Sequence, residues 1–168
     1  MSSLIIRPAS ITDIPSIVEV RVGAFTEEEV SGFIAQGESL YASIEKLREK
    51  WDRENLLKDG FEVFVGEDKG KVVGFIVYNM KSCDDNIDNL VVAKEERGKG
   101  VGRALVEYVE ALAKSRGINV MRTDTTENSE GVPWTSYGFW RRMGYEDTRV
   151  RVATEYGFRV IPLVKNLK

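Results

Sequence analysis

A glycine-rich stretch, Arg97-Gly98-Lys99-Gly100-Val101-Gly102, constrains this chain more than any other segment. It follows an extended apolar run over residues 87–92 and precedes apolar or small residues spaced three and four apart, which predict an amphipathic helix. A glycine turn between a strand and a helix N-terminus leaves backbone N–H groups open to an anion, and the helix dipole favours negative charge there. The stretch therefore predicts a phosphate-binding loop, with a plain strand-to-helix turn as the alternative.

The spacing within this loop excludes two nucleotide-binding motifs. A Walker loop requires Ser or Thr directly after its lysine, but Lys99 is followed by Gly100. A dinucleotide fingerprint requires G-x-G-x-x-G, whereas the three glycines here are spaced G-x-G-x-G. Such a fingerprint also lies near the start of its domain, and this loop lies past the middle of the chain.

Length and composition favour one globular domain over residues 1–168. No apolar run approaches membrane-spanning length, so we expect no membrane segment. The net charge of −3 argues against nucleic-acid binding, which needs a basic surface. A single cysteine, Cys83, excludes an internal disulfide and favours a reducing, cytoplasmic location.

The absence of histidine restricts the chemistry that the chain can perform. Histidine is the usual general base near neutral pH and the commonest metal ligand. We therefore expect proton transfer to fall to carboxylates, tyrosine, backbone or water, and we expect no metal cofactor.

Hydrophobic periodicity predicts an alternation of strands and helices, with two hairpins. The predicted order is a strand (4–8), a helix after Asp13, mostly helical sequence (27–57), a hairpin (61–66 and 71–80), a strand (87–92), the loop helix ending near 115–117, a strand (118–123), a polar loop (125–131), a short helix (133–143) and a final hairpin (145–154 and 158–164). This order indicates the α/β (α+β) class, with a central mixed twisted sheet and helices on both faces.

The glycine loop resembles the [QR]-x-x-G-x-[GA] motif of the GNAT superfamily of N-acetyltransferases. Arg97, Gly100 and Gly102 fill its defining positions. The resemblance extends to Ile6-Arg7-Pro8-Ala9 and Asp13-Ile14-Pro15 near the N-terminus, to Asn89-Leu90-Val91-Val92-Ala93, and to Phe139-Trp140-Arg141-Arg142-Met143-Gly144-Tyr145, which is similar to the F-Y-x-x-x-G-F segment. It implies the GNAT fold, acetyl-CoA as the cosubstrate and an amine acceptor.

The resemblance also implies where acetyl-CoA binds. The exposed backbone of Leu90, Val91 and Val92 would hold the pantetheine arm, and one of these N–H groups would polarise the thioester carbonyl. The pyrophosphate would lie among the N–H groups of Gly98, Lys99, Gly100, Val101 and Gly102. Arg97 and Lys99 would add positive charge. The alternative for residues 90–92 is a core strand, and both can hold together.

Asp88 is the first candidate for the base or water-positioning group. It occupies the place where spermidine/spermine-type acetyltransferases carry a glutamate, and the alternative is an exposed aspartate at a strand end. Weaker candidates are Asp84, Asp85, Asp124 and Glu127.

The acid is less clear, because Trp140 stands where the family often has a tyrosine, and its indole N–H is not an acid near neutral pH. Tyr137, one turn earlier, is the candidate substitute, with a core-facing aromatic as the alternative.

A second departure concerns the asparagine that often contacts coenzyme A, since Pro133 occupies its position. Asn128 would take that role if residues 129–132 are an insertion. The alternative is that the aromatic trio Trp134, Tyr137 and Trp140 walls the acyl or acceptor channel instead.

The acceptor is left open between a small-molecule amine, such as a polyamine, and a peptide or protein amine. Residues 26–60 hold nine acidic and five basic side chains, which would attract a cationic amine or form a solvated helix face. Phe33 and Tyr41 could close a pocket there or flank a peptide groove. The alternatives to acetyl transfer are a non-catalytic acyl-CoA-binding domain and transfer of another acyl group. A homodimer is also considered.

Overall fold

Two antiparallel four-stranded sheets form the framework of the chain, whose computed structural model describes residues 3–25, 60–79 and 86–168. The first sheet has the order β1-β2-β3-β4, with strands β1 (Ile5–Pro8), β2 (Phe61–Asp68), β3 (Lys71–Asn79) and β4 (Ile87–Val92). In the second sheet β8 (Arg159–Asn166) pairs with β5 (Val120–Glu127) on one side, and with β6 (Glu146–Asp147) and β7 (Val152–Ala153) on the other.

In the described part of the chain, three α-helices cover the two faces of this framework. Helix α1 (Ile14–Gly23) buries Ile17 and Val20 against one face of the first sheet. Helices α2 (Val101–Ser115) and α3 (Ser136–Arg142) pack on the opposite face, in a core that includes Leu105 and Trp140. The predicted α/β class with helices on both faces is therefore confirmed.

Within the described residues, main-chain and side-chain hydrogen bonds join the two sheets at one end of β4 and β5. Asn86 N–H donates to Arg122 O at 2.9 Å, and the Thr123 hydroxyl donates to Ile87 O at 3.1 Å. The two contacts advance together along both strands, as in parallel neighbours. Within the described residues no ladder continues them, because β4 pairs with β3 and β5 pairs with β8. The strands thus part toward Val92, and a cleft opens between the sheets.

The first hairpin is confirmed, with a shorter turn than the sequence predicts. Strand β2 continues to Asp68 and pairs with Lys71, so only Lys69 and Gly70 form the turn. Both have positive φ, 50° and 80°, as in the two-residue turns that match the twist of hairpin strands.

The expected polar loop at residues 125–131 is wrong in its first part, because β5 continues to Glu127. Thr125 and Glu127 are buried, and each has a polar partner inside the fold. Polar character therefore marks internal hydrogen bonds and ion pairs here, not exposure. The same segment delays α3 to Ser136, since Trp134 N–H still donates to Thr126 O at 2.8 Å.

The final hairpin also differs from its prediction, because its first arm is divided into β6 and β7. Between them Arg149 has a φ of 64°, and its N–H donates to the Asp147 carboxylate at 2.7 Å. The chain makes a local turn and then rejoins β8 at Val152.

Several predictions fall outside the described residues. These are the helical segment 27–57 with Phe33, Tyr41 and its acidic side chains, and Cys83, Asp84 and Asp85. Within residues 3–25, 60–79 and 86–168, the helices are too short or too polar to span a bilayer.

Candidate functional site

The backbone of β4 presents two different edges. Ala93 N–H donates to Val73 O at 2.9 Å, and hydrogen-bonding directions alternate along an antiparallel strand. The N–H and C=O groups of Val91 therefore face β3, whereas those of Leu90 and Val92 point away from it, toward the cleft. The sequence predicts that Leu90, Val91 and Val92 bind through their backbone. Of these three, Leu90 and Val92 have backbone groups that face the cleft.

A β-bulge interrupts the other end of this strand. Val77 pairs with Asn89 and Tyr78 pairs with Ile87, so Asp88 has no opposing residue on β3. Bulges bend a strand and re-aim its side chains. The Asp88 side chain is exposed, and it lies near the end where β4 meets β5.

The glycine loop turns the chain from β4 into α2. Gly98 and Gly100 have φ angles of 77° and 89°, which residues with a Cβ rarely adopt. Ala104 N–H donates to Gly100 O at 3.0 Å, the first bond of the helix. The N–H groups of Val101 and Gly102 precede that bond, so the helix itself supplies no acceptor for them.

The third glycine serves packing instead of conformation. A Cβ on Gly102 would lie 3.3 Å from Phe139 Cε2, so α3 sits directly against the first turn of α2. This close approach brings α3 next to the glycine loop.

These elements enclose a cavity of about 770 Å³. It extends from the end of α1, along β4 and the glycine loop, to α3 and the residues before it. Its lining comprises Arg21, Ala24, Asn89, Leu90, Val91, Val92, Glu96, Arg97, Gly98, Gly100, Val101, Gly102, Arg103, Trp134, Thr135, Ser136, Phe139, Trp140 and Arg142. Four arginines against one glutamate make the lining cationic, which suits a polyanionic ligand.

The aromatic wall of the cavity is fixed by packing. Trp140 is buried and makes edge-to-face contacts with Phe139 and Tyr145, each with centroids 5.1 Å apart. Ser136, at the start of α3, lies 2.6 Å from the Thr125 hydroxyl of β5, measured between the two oxygens. Trp134 and Trp140 thus line the cavity, and their part in an acyl or acceptor channel stays a prediction.

Tyr137 faces away from this cavity. Its hydroxyl donates to the Asp147 carboxylate at 3.1 Å. Burial and this carboxylate raise the pKa of Tyr137, so the phenol keeps its proton throughout the neutral range. Tyr137 is absent from the lining residues, and its role as the acid stays a prediction.

A cluster of ion pairs lies behind α3, and we call Glu127, Asp147, Arg151 and Arg159 the ion cluster. Arg151 contacts Glu127 at 3.0 Å and Asp147 at 2.8 Å, and Arg159 contacts Glu127 at 2.8 Å. The Arg151 guanidinium holds the pKa of Asp147 well below its usual range. The cluster joins β5, β6 and β8 beneath the aromatic wall.

Asn128 orders a turn. Its side-chain oxygen accepts hydrogen bonds from the N–H groups of Glu130 and Val132, at 3.0 and 2.9 Å. Asn128 does not line the cavity, and its contact with coenzyme A stays a prediction.

Sequence comparison identifies the family to which this architecture belongs. Residues 59–147, more than half of the chain, match the model of the acetyltransferase (GNAT) domain. The chain belongs to the GNAT acetyltransferase family. An uncharacterized N-acetyltransferase of Chlorobaculum tepidum is 34% identical over 97 residues, which are 56% of each protein. The chain thus spans about half the length of this curated relative.

Solved structures show the same fold over nearly the whole chain. A GNAT-family structure from Desulfovibrio desulfuricans superposes with a TM-score of 0.75 at 16% identity, covering 98% of this chain and 99% of that one. The PaiA N-acetyltransferase of Thermoplasma acidophilum, solved in complex with coenzyme A, gives 0.62 at 16% identity, covering 95% and 98%.

The sequence does not reveal several cavity residues. Arg21 and Ala24 come from the end of α1, and Arg103 and Arg142 come from α2 and α3. No spacing pattern in the sequence marks these arginines, since each is one basic residue among many.

Proposed function

We propose that this chain transfers an acetyl group from acetyl-CoA to an amine. The observation that carries the proposal is the outward-facing edge of β4 at Leu90 and Val92, which pairs with no strand among the described residues and runs directly into a glycine loop at a helix N-terminus. A ligand with an extended amide-containing arm and a diphosphate matches the two in order. Coenzyme A has this form.

The residues present fit such a ligand. Leu90 and Val92 offer backbone groups in the way that an edge strand does, which suits the amides of a pantetheine arm. The first N–H groups of α2 suit a pyrophosphate. Gly98 and Gly100 allow the loop its positive φ angles, and because they carry no side chain they leave the space beside the loop open to the ligand. Acetyl-CoA, when bound, supplies an acyl group activated as a thioester.

Within this proposal, Leu90 N–H is the donor that polarises the thioester carbonyl. It points into the cleft from a rigid strand, so it needs no reorganisation during the reaction, and preorganised donors of this kind stabilise developing negative charge. Because Arg97 contacts Val92 O, the Val92 N–H is the group that this residue offers to the arm.

Asp88 is proposed as the base or water-positioning group. Asp88 lies at the bulge, next to the outward-facing edge of β4, and it is not among the residues that line the cavity. An acceptor amine arriving from that end would meet the carboxylate before the thioester. A leaving thiol with a pKa of about 8.5 departs fairly well as a thiolate, so the proposal does not depend on Tyr137 as an acid.

The decisive experiment measures thiol release from acetyl-CoA with a panel of polyamines, small amines and peptides. We expect release with at least one class, and an Asp88→Asn variant slowed by about 10²-fold or more, the usual contribution of a general base. Asp68→Asn, at the end of β2 and away from the cavity, serves as the matched control. If coenzyme A binds but no amine releases thiol from acetyl, propionyl or longer acyl donors, the chain is a binding domain.

A further inference from the structure

The guanidinium group of Arg97 is committed to main-chain carbonyls. Its Nε donates to Val92 O at 3.2 Å, and one terminal nitrogen donates to Ala24 O at 3.3 Å. Val92 O is the outward-facing carbonyl at the end of β4, and Ala24 directly follows α1. The Arg97 side chain therefore joins the end of β4 to the end of α1.

Lys99, the other basic residue of the loop, is also engaged. Its ammonium group contacts the Glu96 carboxylate at 3.0 Å, and it does not line the cavity. The local positive charge of Lys99 is thus offset by its neighbour.

Two other arginines present their charge to the cavity. Arg103 lies in the first turn of α2 and Arg142 lies at the end of α3, and both line the cavity. The Arg142 side chain lies along α3 toward Gly138, where a Cβ would be 3.2 Å from Arg142 Nη1. In the part of the chain that the structure describes, neither guanidinium has a hydrogen bond or ion pair.

We propose that Arg97 is a positioning residue that fastens the end of α1 to β4, and that Arg103 and Arg142 make the charged contacts with the ligand's phosphates. This division of roles rests on the proposed function, since it assumes that the cavity binds coenzyme A. It differs from the expectation that Arg97 and Lys99 supply the charge.

The physical basis is the competition for donors. A guanidinium has five N–H groups in a rigid fork, and bidentate phosphate binding uses adjacent nitrogens of that fork. On Arg97 the Nε side of the fork already serves two carbonyls. The guanidinium groups of Arg103 and Arg142 keep all their donors available. Both residues line the cavity that contains the N-terminus of α2, where backbone N–H groups would bind the phosphates.

The role of Arg97 predicts an effect on a ligand without phosphates. Ala24 and Arg21 both line the cavity, so releasing Ala24 O would loosen the wall formed by the end of α1. Removing Arg97 should therefore weaken a bare pantetheine arm as much as complete coenzyme A. Removing Arg103 or Arg142 should weaken coenzyme A alone.

The experiment measures the Kd of coenzyme A and of pantetheine by isothermal titration calorimetry, with Lys71→Ala as the surface-cation control. We expect Arg103→Ala and Arg142→Ala each to raise the Kd of coenzyme A about tenfold, the size of one charge-assisted contact, and to leave pantetheine unchanged. Arg97→Ala should raise both Kd values by the same factor.

Conservative variants separate positioning from charge at Arg97. Arg97→Gln keeps an N–H donor without charge and should restore part of the affinity, whereas Arg97→Lys keeps the charge without the planar fork and should restore less. Hydrogen exchange provides a ligand-independent readout, because Arg97→Ala should speed exchange at residues 21–25.

The outcomes are distinct. A loss confined to coenzyme A in Arg97→Ala, restored by Lys, would make Arg97 a phosphate ligand and overturn the proposal. Unchanged coenzyme A binding in both Arg103→Ala and Arg142→Ala would remove their assigned role. If the unmodified chain binds no coenzyme A, the proposed function fails, and unaltered exchange at residues 21–25 in Arg97→Ala would contradict the fastening independently.

Discussion

The two walls of the cleft are built from different parts of the polypeptide. The wall formed by β4 and the glycine loop presents main-chain groups, because the side chains of Leu90 and Val92 pack against the core and Arg97 contacts main-chain carbonyls. The wall formed by α3 presents aromatic side chains, and the ion cluster anchors it from behind. The first wall depends on backbone conformation, and the second depends on side-chain identity.

This difference explains which substitutions each wall tolerates. A backbone donor survives most side-chain changes, provided that the strand register and the glycine conformations are kept. The aromatic wall depends more on side-chain identity, because the Glu127 carboxylate beneath it would stay buried if its arginine partners were removed. We therefore expect the α3 wall to be the more sensitive of the two.

The largest effect is expected from Glu127→Ala. It removes the buried carboxylate that contacts both Arg151 and Arg159, and losing two charge-assisted contacts to partly exposed arginines should cost about 3 kcal/mol. Urea unfolding measures the change, with Glu130→Ala on the exposed turn as the control. A loss equal to that of the control would show that the ion cluster does not hold this wall.

The pH dependence of stability gives the next largest effect. Arg151 depresses the pKa of Asp147 in the folded state, so this stabilisation is complete above the ordinary aspartate pKa of about 3.9 and is lost as the pH falls below it. Asp147→Asn should cost about 1.5–3 kcal/mol at pH 7 and progressively less in acid. Unfolding at pH 7 and pH 3 tests this, and equal losses at both would contradict the charge contribution.

Gly102→Val probes the contact between the two walls. The new side chain would meet Phe139 and push α3 from α2, and overpacking typically costs about 1–3 kcal/mol. Coenzyme A binding should weaken together with stability, because the glycine loop and α3 both line the cavity. Gly23→Ala is the matched control, since a Cβ there meets nothing within 4 Å. Unchanged binding would separate the cavity from this contact.

Tyr137→Phe should give the smallest effect. It removes one hydrogen bond to Asp147, a change of about 1 kcal/mol in the free energy of unfolding. Because the pKa of Tyr137 is raised, this contribution is present below its ordinary pKa of about 10 and is lost at higher pH. The pH–rate profile is the informative control: a lost alkaline limb would identify Tyr137 as the acid.

The first wall can be predicted from the sequence far better than the second. The apolar run of β4, the three glycines and the period of α2 are local signals, and each follows from backbone geometry. The partners of Arg97 are not predictable in this way, because Ala24 is 73 residues distant in sequence. The sequence suggests Glu127 only as a weaker base candidate and misses its place in the ion cluster, because its polar neighbours indicate a loop and its arginine partners come from β8 and the segment before β7.

Hydrogen–deuterium exchange with and without acetyl-CoA tests the central claim most directly. If the open edge of β4 and the glycine loop bind the donor, slower exchange will appear at the N–H groups of Leu90 and Val92 and over residues 98–103. Val91, already paired with β3, will change little. Binding of acetyl-CoA without protection of Leu90, Val92 or the loop would contradict the account.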